Sequence, residues 1–273
     1  MDIQQQRYRE IITESRRIVV KIGTRVIAAK TGKPQMKYLQ GLVNHVAELR
    51  NKGYEVIMVS SGAVGAGMEA LGIRERPKVV ADLQMCAAVG QARLMAKYEE
   101  LFLRKKLKVG QMLLTHADFQ HRIRLANMRR TLEHLLAAGV VPIINENDVV
   151  ADEELKGGLS LGDNDYLAAL VVKLVRADLL IILSTVDGLL DMRNPAKVKR
   201  ISLIETLNQE AFRLVNPGAN LLSKGGMDSK LKAAQIAVKA GCSVVIGGGR
   251  NKDVLTRIMT AHDEGTLILS SPF

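Results

Sequence analysis

VPIINENDVVADEELKGGLSLGDNDYLAALVV, residues 141–172, is the stretch that decides the fold. The apolar run Val140–Ile144, VVPII, follows Gly139 and empties into Asn145-Glu146-Asn147-Asp148, which gives it the length and branching of a buried parallel strand. In an open α/β sheet the carboxyl edge is where ligands bind, so the polar run at that edge is placed to read a small polar substrate. Gly162-Asp163-Asn164-Asp165 then opens the apolar helix YLAALVVKLV, whose first amides and dipole favour an anion. Either half alone reads as a polar loop or an ordinary helix cap. Two polar clusters flanking one loop point to a site.

Working outward, strands alternate with helices on both sides of this stretch. IVVKIGT at 18–24 is a strand broken by Gly23, and Lys21 near its end can reach over the turn to neutralise a phosphate. The spacing does not match GxxxxGK[ST], which excludes a Walker-type P-loop. MKYLQGLVNHVAELRNK at 36–52 is a crossover helix and YEVIMVS the next strand. After it Ser60-Ser61-Gly62-Ala63-Val64-Gly65-Ala66-Gly67 enters a helix. Those small residues either let an anion or carboxylate approach the amides or allow tight helix packing; the sequence weighs the two equally. Residues 82–102 read as one long, rather buried helix, 108–114 as a strand, and RLANMRRTLEHLLAAG as an amphipathic helix.

Downstream, ADLLIILSTVDGLLD is an apolar strand ending in Ser184, Thr185 and Asp187, where hydroxyls and a carboxylate can hold the ribose or base side of a nucleotide. Lys224, Gly225, Gly226, Met227 and Lys230 lead into the helix LKAAQIAVKAG; glycines flanked by lysines before a helix form a phosphate cradle. CSVVIGGG, a helix at 252–262 and GTLIL close the chain. The alternation predicts α/β architecture, a three-layer αβα sandwich with a mostly parallel central sheet. We expect residues 1–16 as a polar, helical extension and 17–273 as one domain. The loops around 152–160 and 191–225 are the expected mobile segments.

Composition narrows the partners. Lys+Arg number 39 against 28 Asp+Glu, a net charge of +11 that suits anionic ligands such as nucleotides. Aromatics are only 3% and Trp is absent, so stacking platforms for single strands are missing and no nucleic-acid partner is expected. Cys86 and Cys242 lack CxxC spacing and read as reduced thiols; His116, His121 and His134 lack metal-site spacing. No uncharged run reaches membrane-spanning length and the N-terminus lacks a signal-peptide core, so a soluble, cytoplasmic protein is expected.

The ordered motifs VVKIGT (19–24), SSGAVGAG (60–67), AAVGQ (87–91), VGQMLLT (109–115), VPIINENDVVA (141–151), GDNDYLAAL (162–170) and GGMDSKLKAA (225–234) resemble those of the glutamate 5-kinases, of the amino acid kinase fold. The resemblance runs from about Arg17 to Leu269. It implies transfer of the ATP γ-phosphate to the side-chain carboxylate of L-glutamate, the first step of proline biosynthesis, with Mg²⁺. By resemblance Lys21 bridges the ATP phosphates, and Lys230 with Gly225 and Gly226 neutralises charge toward the transition state. Ser61, Asp148 and Asn164 bind glutamate with the neighbouring Gly62, Ala63 and Asn145. Asp163 and Asp165 flank that contact, Asp165 positioning the lysines, and Ser184 and Thr185 touch the nucleotide together with Gly23. Residues to about 172 would form the acceptor half and the remainder the nucleotide half. The family also implies a homo-oligomer, dimer or tetramer, and feedback by proline. Ser223-Lys224 stands where the family has Gly-Thr, the 152–160 loop is longer, and with Phe273 as the last residue the single-domain form, without the C-terminal RNA-binding-type domain, is expected. Kinases of N-acetylglutamate, aspartate or carbamate, or a catalytically weak sensor of nucleotide or amino acid, are the alternatives.

Overall fold

The computed structural model describes residues 3–27, 36–151, 164–193, 198–215 and 226–270. The 152–160 loop, Asp163, Lys224 and Gly225 lie outside them, as does much of the 191–225 segment. The strands are β1 (Arg17–Ile22), β2 (Glu55–Val59), β3 (Val109–Leu114), β4 (Val141–Glu146), β5 (Leu179–Ser184), β6 (Leu189–Asp191), β7 (Lys199–Ile201), β8 (Leu203–Ile204), β9 (Ser243–Gly248) and β10 (Thr266–Ile268). The helices are α1 (Ile3–Glu14), α2 (Thr24–Ile27), α3 (Met36–Asn51), α4 (Ala63–Ala70), α5 (Val80–Leu103), α6 (His116–Gln120), α7 (Arg122–Ala137), α8 (Asn164–Val175), α9 (Gln209–Val215), α10 (Gly226–Lys239) and α11 (Val254–Met259).

Eight strands form one sheet in the order β3-β4-β2-β1-β5-β9-β10-β8, and β6 pairs with β7 in a separate ribbon. From β3 to β9 every pairing is parallel; β10 runs antiparallel to β9. α11 has six residues, about 9 Å of helix, and the chain enters β10 beside the carboxyl end of β9, with Thr266 opposite Ile246.

Strand alternation divides the core in two. Ile18, Val20 and Ile22 of β1 pack with residues of α3, α5 and α11 on one face, whereas Val19 packs with residues of α7, α8 and α10 on the other. The three-layer sandwich expected from the sequence is therefore present. Lys21, two residues after Val19, points toward the α8–α10 layer. Ile182 of β5 belongs to that same layer, so Ser184, two further on, shares Lys21's face. The polar N-terminal segment is helical, and Tyr8 and Ile12 of α1 are buried in the first core cluster.

Candidate active site

The chain leaves β1 toward β2 and leaves β5 toward β9, on opposite sides, so the crevice between the carboxyl ends of β1 and β5 is a topological switch point. Gly23 closes it tightly: its N–H donates to Leu183 O at 3.1 Å, and a Cβ there would stand 3.3 Å from that oxygen. On β1 Lys21 is 6% exposed, and its Nζ lies 2.5 Å from Asp165 Oδ1 in the first turn of α8. Lys230, one turn into α10, approaches Asp165 Oδ2 at 2.9 Å, and Ser229 Oγ donates to the same oxygen at 3.2 Å. Burial pushes the Asp165 carboxyl up, but the Lys21 and Lys230 ammoniums together outweigh it and hold the group below the usual carboxylate range. Two ammoniums against one carboxylate leave a net positive charge, which suits an incoming phosphate.

Beside this triad lies a cavity lined by Ser61, Gly62, Ala63, Asn145, Asp148 and Asn164, the described residues that the sequence grouped as an acceptor site. Gly62 caps α4 with φ of 102°, a left-handed conformation that favours glycine, and no side chain caps the first amides. They remain available to an anion. Asn164 Nδ2 donates to Ser60 O at 2.6 Å, Ser61 Oγ at 2.8 Å and Asn145 Oδ1 at 3.0 Å. Asn164 Oδ1 is buried without a hydrogen-bond partner among the described residues, which leaves an acceptor beside the cavity. Burial pushes the Asp148 carboxyl up to about 6, with Glu146 adding to the shift and Arg76 opposing it.

Sequence reasoning missed the supports of this wall. Asn145 Nδ2 donates to Gln91 Oε1 at 2.7 Å, and Ser60 Oγ pairs with Tyr98 OH at 2.9 Å. Gln91 and Tyr98 both lie on α5, and burial pushes the Tyr98 hydroxyl up to about 12. A lone glutamine and a tyrosine inside an otherwise apolar helical pattern were the available signals, since a buried polar tip needs a partner. Thr24, Arg76 and Gln84 also line the cavity.

On the β5 side Ser184 is buried, Thr185 is half-buried and Asp187 is exposed. Asp187 lies against Gly248 at the end of β9, where a Cβ would stand 2.0 Å from its Oδ1; glycine is what permits that approach. Gly226 and Met227 begin α10, and the Gly226 carbonyl accepts from Lys230 Nζ at 2.9 Å. The site thus joins a cavity with hydrogen-bonding walls to a lysine pair through consecutive residues, Asn164 and Asp165.

Such a site on this sheet is that of a small-acid phosphotransferase. Residues 16–248 match the model of the amino acid kinase family. A glutamate 5-kinase of Citrifermentans bemidjiense is 44% identical over 96% of this chain and 69% of its own. One from Clostridium acetobutylicum is 42% identical over 93% of this chain and 94% of its own. Among solved structures, UMP kinase from Bacillus anthracis superposes with a TM-score of 0.62 at 17% identity, covering 94% of this chain and 97% of that one. Carbamate kinase from Giardia lamblia bound to AMP-PNP gives 0.64 at 16% identity, covering 95% and 100%. The chain belongs to the amino acid kinase family and, within it, to the glutamate 5-kinases.

Proposed function

We infer that this chain phosphorylates the side-chain carboxylate of L-glutamate with ATP, giving glutamyl 5-phosphate and ADP for proline biosynthesis. The observation that carries the reading is the junction of cavity and lysine pair in one helical turn: Asn164 lines the cavity, and Asp165 holds Lys21 and Lys230. The substrate's ammonium is taken up by Asp148 and Asn164 Oδ1, and its reactive carboxylate is directed to the amides of Gly62 and Ala63 beside β1. That carboxylate is already ionised at neutral pH, so no general base is needed. One of its oxygens bonds to the γ-phosphorus as the bond to the β,γ-bridging oxygen breaks, and the electron pair leaves with ADP. Lys21 and Lys230 keep the two anions from repelling each other and bind the phosphoryl oxygens as charge shifts to the leaving group.

Ser184, Thr185 and Asp187 bound the nucleoside side, and Gly226 and Lys230 at the start of α10 meet the phosphates. Magnesium supplies charge neutralisation of the phosphates when bound. Among the described residues no cluster of three or more His, Cys, Asp or Glu is arranged to hold a metal ion. No helix among the described residues is long and apolar enough to cross a membrane, and the buried free thiols of Cys86 and Cys242 suit a reducing cytoplasm. Assembly as a homo-oligomer and inhibition by proline at the acceptor cavity belong to the same reading.

The test is an acyl-phosphate trap. With Mg-ATP and hydroxylamine we expect glutamate-dependent hydroxamate and ADP in equal amounts, and neither with N-acetylglutamate, aspartate or carbamate. Hydroxamate or ADP formed with one of those acids instead would reassign the cavity.

A further inference from the structure

Arg76 lies on the connection between α4 and α5, and the following Pro77 restricts its backbone toward extended conformations. It lines the acceptor cavity, where it is the only cationic side chain and Asp148 the only anionic one among the described lining residues. We propose that Arg76 is the specificity-determining cation of the cavity, binding the α-carboxylate of the acceptor and so selecting an α-amino acid over acids that share the reactive carboxylate but lack that group. The inference rests on the glutamate reading and deepens it.

The charge pattern carries the argument. The acceptor has one ammonium and two carboxylates. The reactive carboxylate must face Lys21 and Lys230, and the ammonium is matched by Asp148 and by Asn164 Oδ1, which has no hydrogen-bond partner among the described residues. One carboxylate remains, and the cavity wall offers it one cation. A guanidinium presents two parallel N–H groups to a carboxylate, which a lone ammonium cannot do. Arg76 is itself exposed, whereas Lys21 is buried and Lys230 half-buried, so the guanidinium meets an acceptor from the solvent side. Arg76 and Asp148 act on each other electrostatically, the guanidinium opposing the upward shift of the carboxyl. They can therefore receive the carboxylate and the ammonium borne on one carbon. Val80 and Leu83 beside Arg76 give the methylene chain an apolar wall.

The test compares Arg76→Gln and Arg76→Lys with the unmodified chain, using L-glutamate and its α-amide, isoglutamine, as acceptors in the hydroxylamine assay. The unmodified chain should prefer glutamate by at least about tenfold in kcat/KM. Arg76→Gln should raise KM for glutamate about 10- to 100-fold, the range expected for a charge-assisted hydrogen bond, with kcat within about threefold. It should leave isoglutamine almost unaffected, so that the preference collapses, and Arg76→Lys should restore part of it. The charged groups acting on Asp148 are Glu146 and Arg76, so removing the guanidinium should also move the acid limb of kcat/KM for glutamate to higher pH. Equal losses for both acceptors, or an unchanged KM for glutamate, would overturn the assignment. Absence of glutamate-dependent hydroxamate from the unmodified chain would instead remove the glutamate reading, and this inference with it.

Discussion

Asp148 has opposing effects on folding and binding. Its folded-state pKa, raised to about 6, means the native chain holds that proton more tightly than the unfolded one. The contribution to stability is most favourable below the unfolded value near 4, declines as pH rises between about 4 and about 6, and is a cost at neutral pH. Asp148→Asn should therefore stabilise the fold at pH 7.5 by on the order of 1 kcal/mol, discounted for partial exposure, and do nothing near pH 4. The same change should raise KM for glutamate about 10- to 100-fold and leave KM for ATP within about twofold. Urea titrations at the two pH values with steady-state kinetics check both halves; a variant less stable at pH 7.5 would contradict the account. At this scale the sequence was legible where polar residues interrupt an apolar run: Asn145, Asp148 and Asn164 line the cavity and Asp165 meets both lysines, while Asp163 lies outside the described residues. Arg76 was illegible because an arginine in the charged loop RERPK carries no periodic signal, and only the folding of α5 against α4 brings it to the cavity.

The small residues of SSGAVGAG left two readings open, and the helices divide them between Gly62 and Gly67 of that motif. Gly62 supplies the positive φ at the site, whereas Gly67 and Gly90 let α4 and α5 touch backbone to backbone. A Cβ on Gly67 would stand 1.7 Å from Cys86 O, and one on Gly90 would stand 1.8 Å from Ala63 O. Because Ala63 lines the cavity, Gly90→Ala should lower stability by about 2–4 kcal/mol and raise KM for glutamate as α4 is displaced. Gly41→Ala, in the interior of α3 with nothing within 4 Å of the added Cβ, should be neutral or stabilise by up to about 1 kcal/mol. Thermal melts of the pair decide it; equal effects would remove the packing argument. The long elements of the αβα alternation could be read from periodicity. The short ones, α6, α9, β7 and β8, could not, because two to seven residues hold too little pattern, and β8 is fixed by β10, far along the chain.

Across the whole molecule, stability and chemistry are held at opposite edges of the sheet. Arg17 at the start of β1 donates to Glu55 at 2.7 Å, to both oxygens of Glu133, and to Val175 O, tying β2, α7 and α8 to the central strand. Asp178 accepts from the Arg16 and Arg17 amides at the same edge. Lys21 sits about 13 Å away along the strand. Arg17→Met should cost about 1–2 kcal/mol in a urea titration, by removing the donor to Val175 O and the ion pairs to the half-exposed Glu55 and Glu133. Both KM values should stay within about twofold; a comparable loss of affinity would mean the two edges are not independent. Sequence marked Arg17 only as the residue before a strand, since its partners lie 38, 116 and 158 residues away. The opposite edge has a different economy. Asn164 and Asp165 are neighbours in the first turn of α8, so on the proposed reading an acceptor that seats badly against the first would disturb the second, and with it both ammoniums. Water reaching the cavity by itself makes no such fit. On the proposed reading, helical register would thus oppose wasteful hydrolysis of the nucleotide.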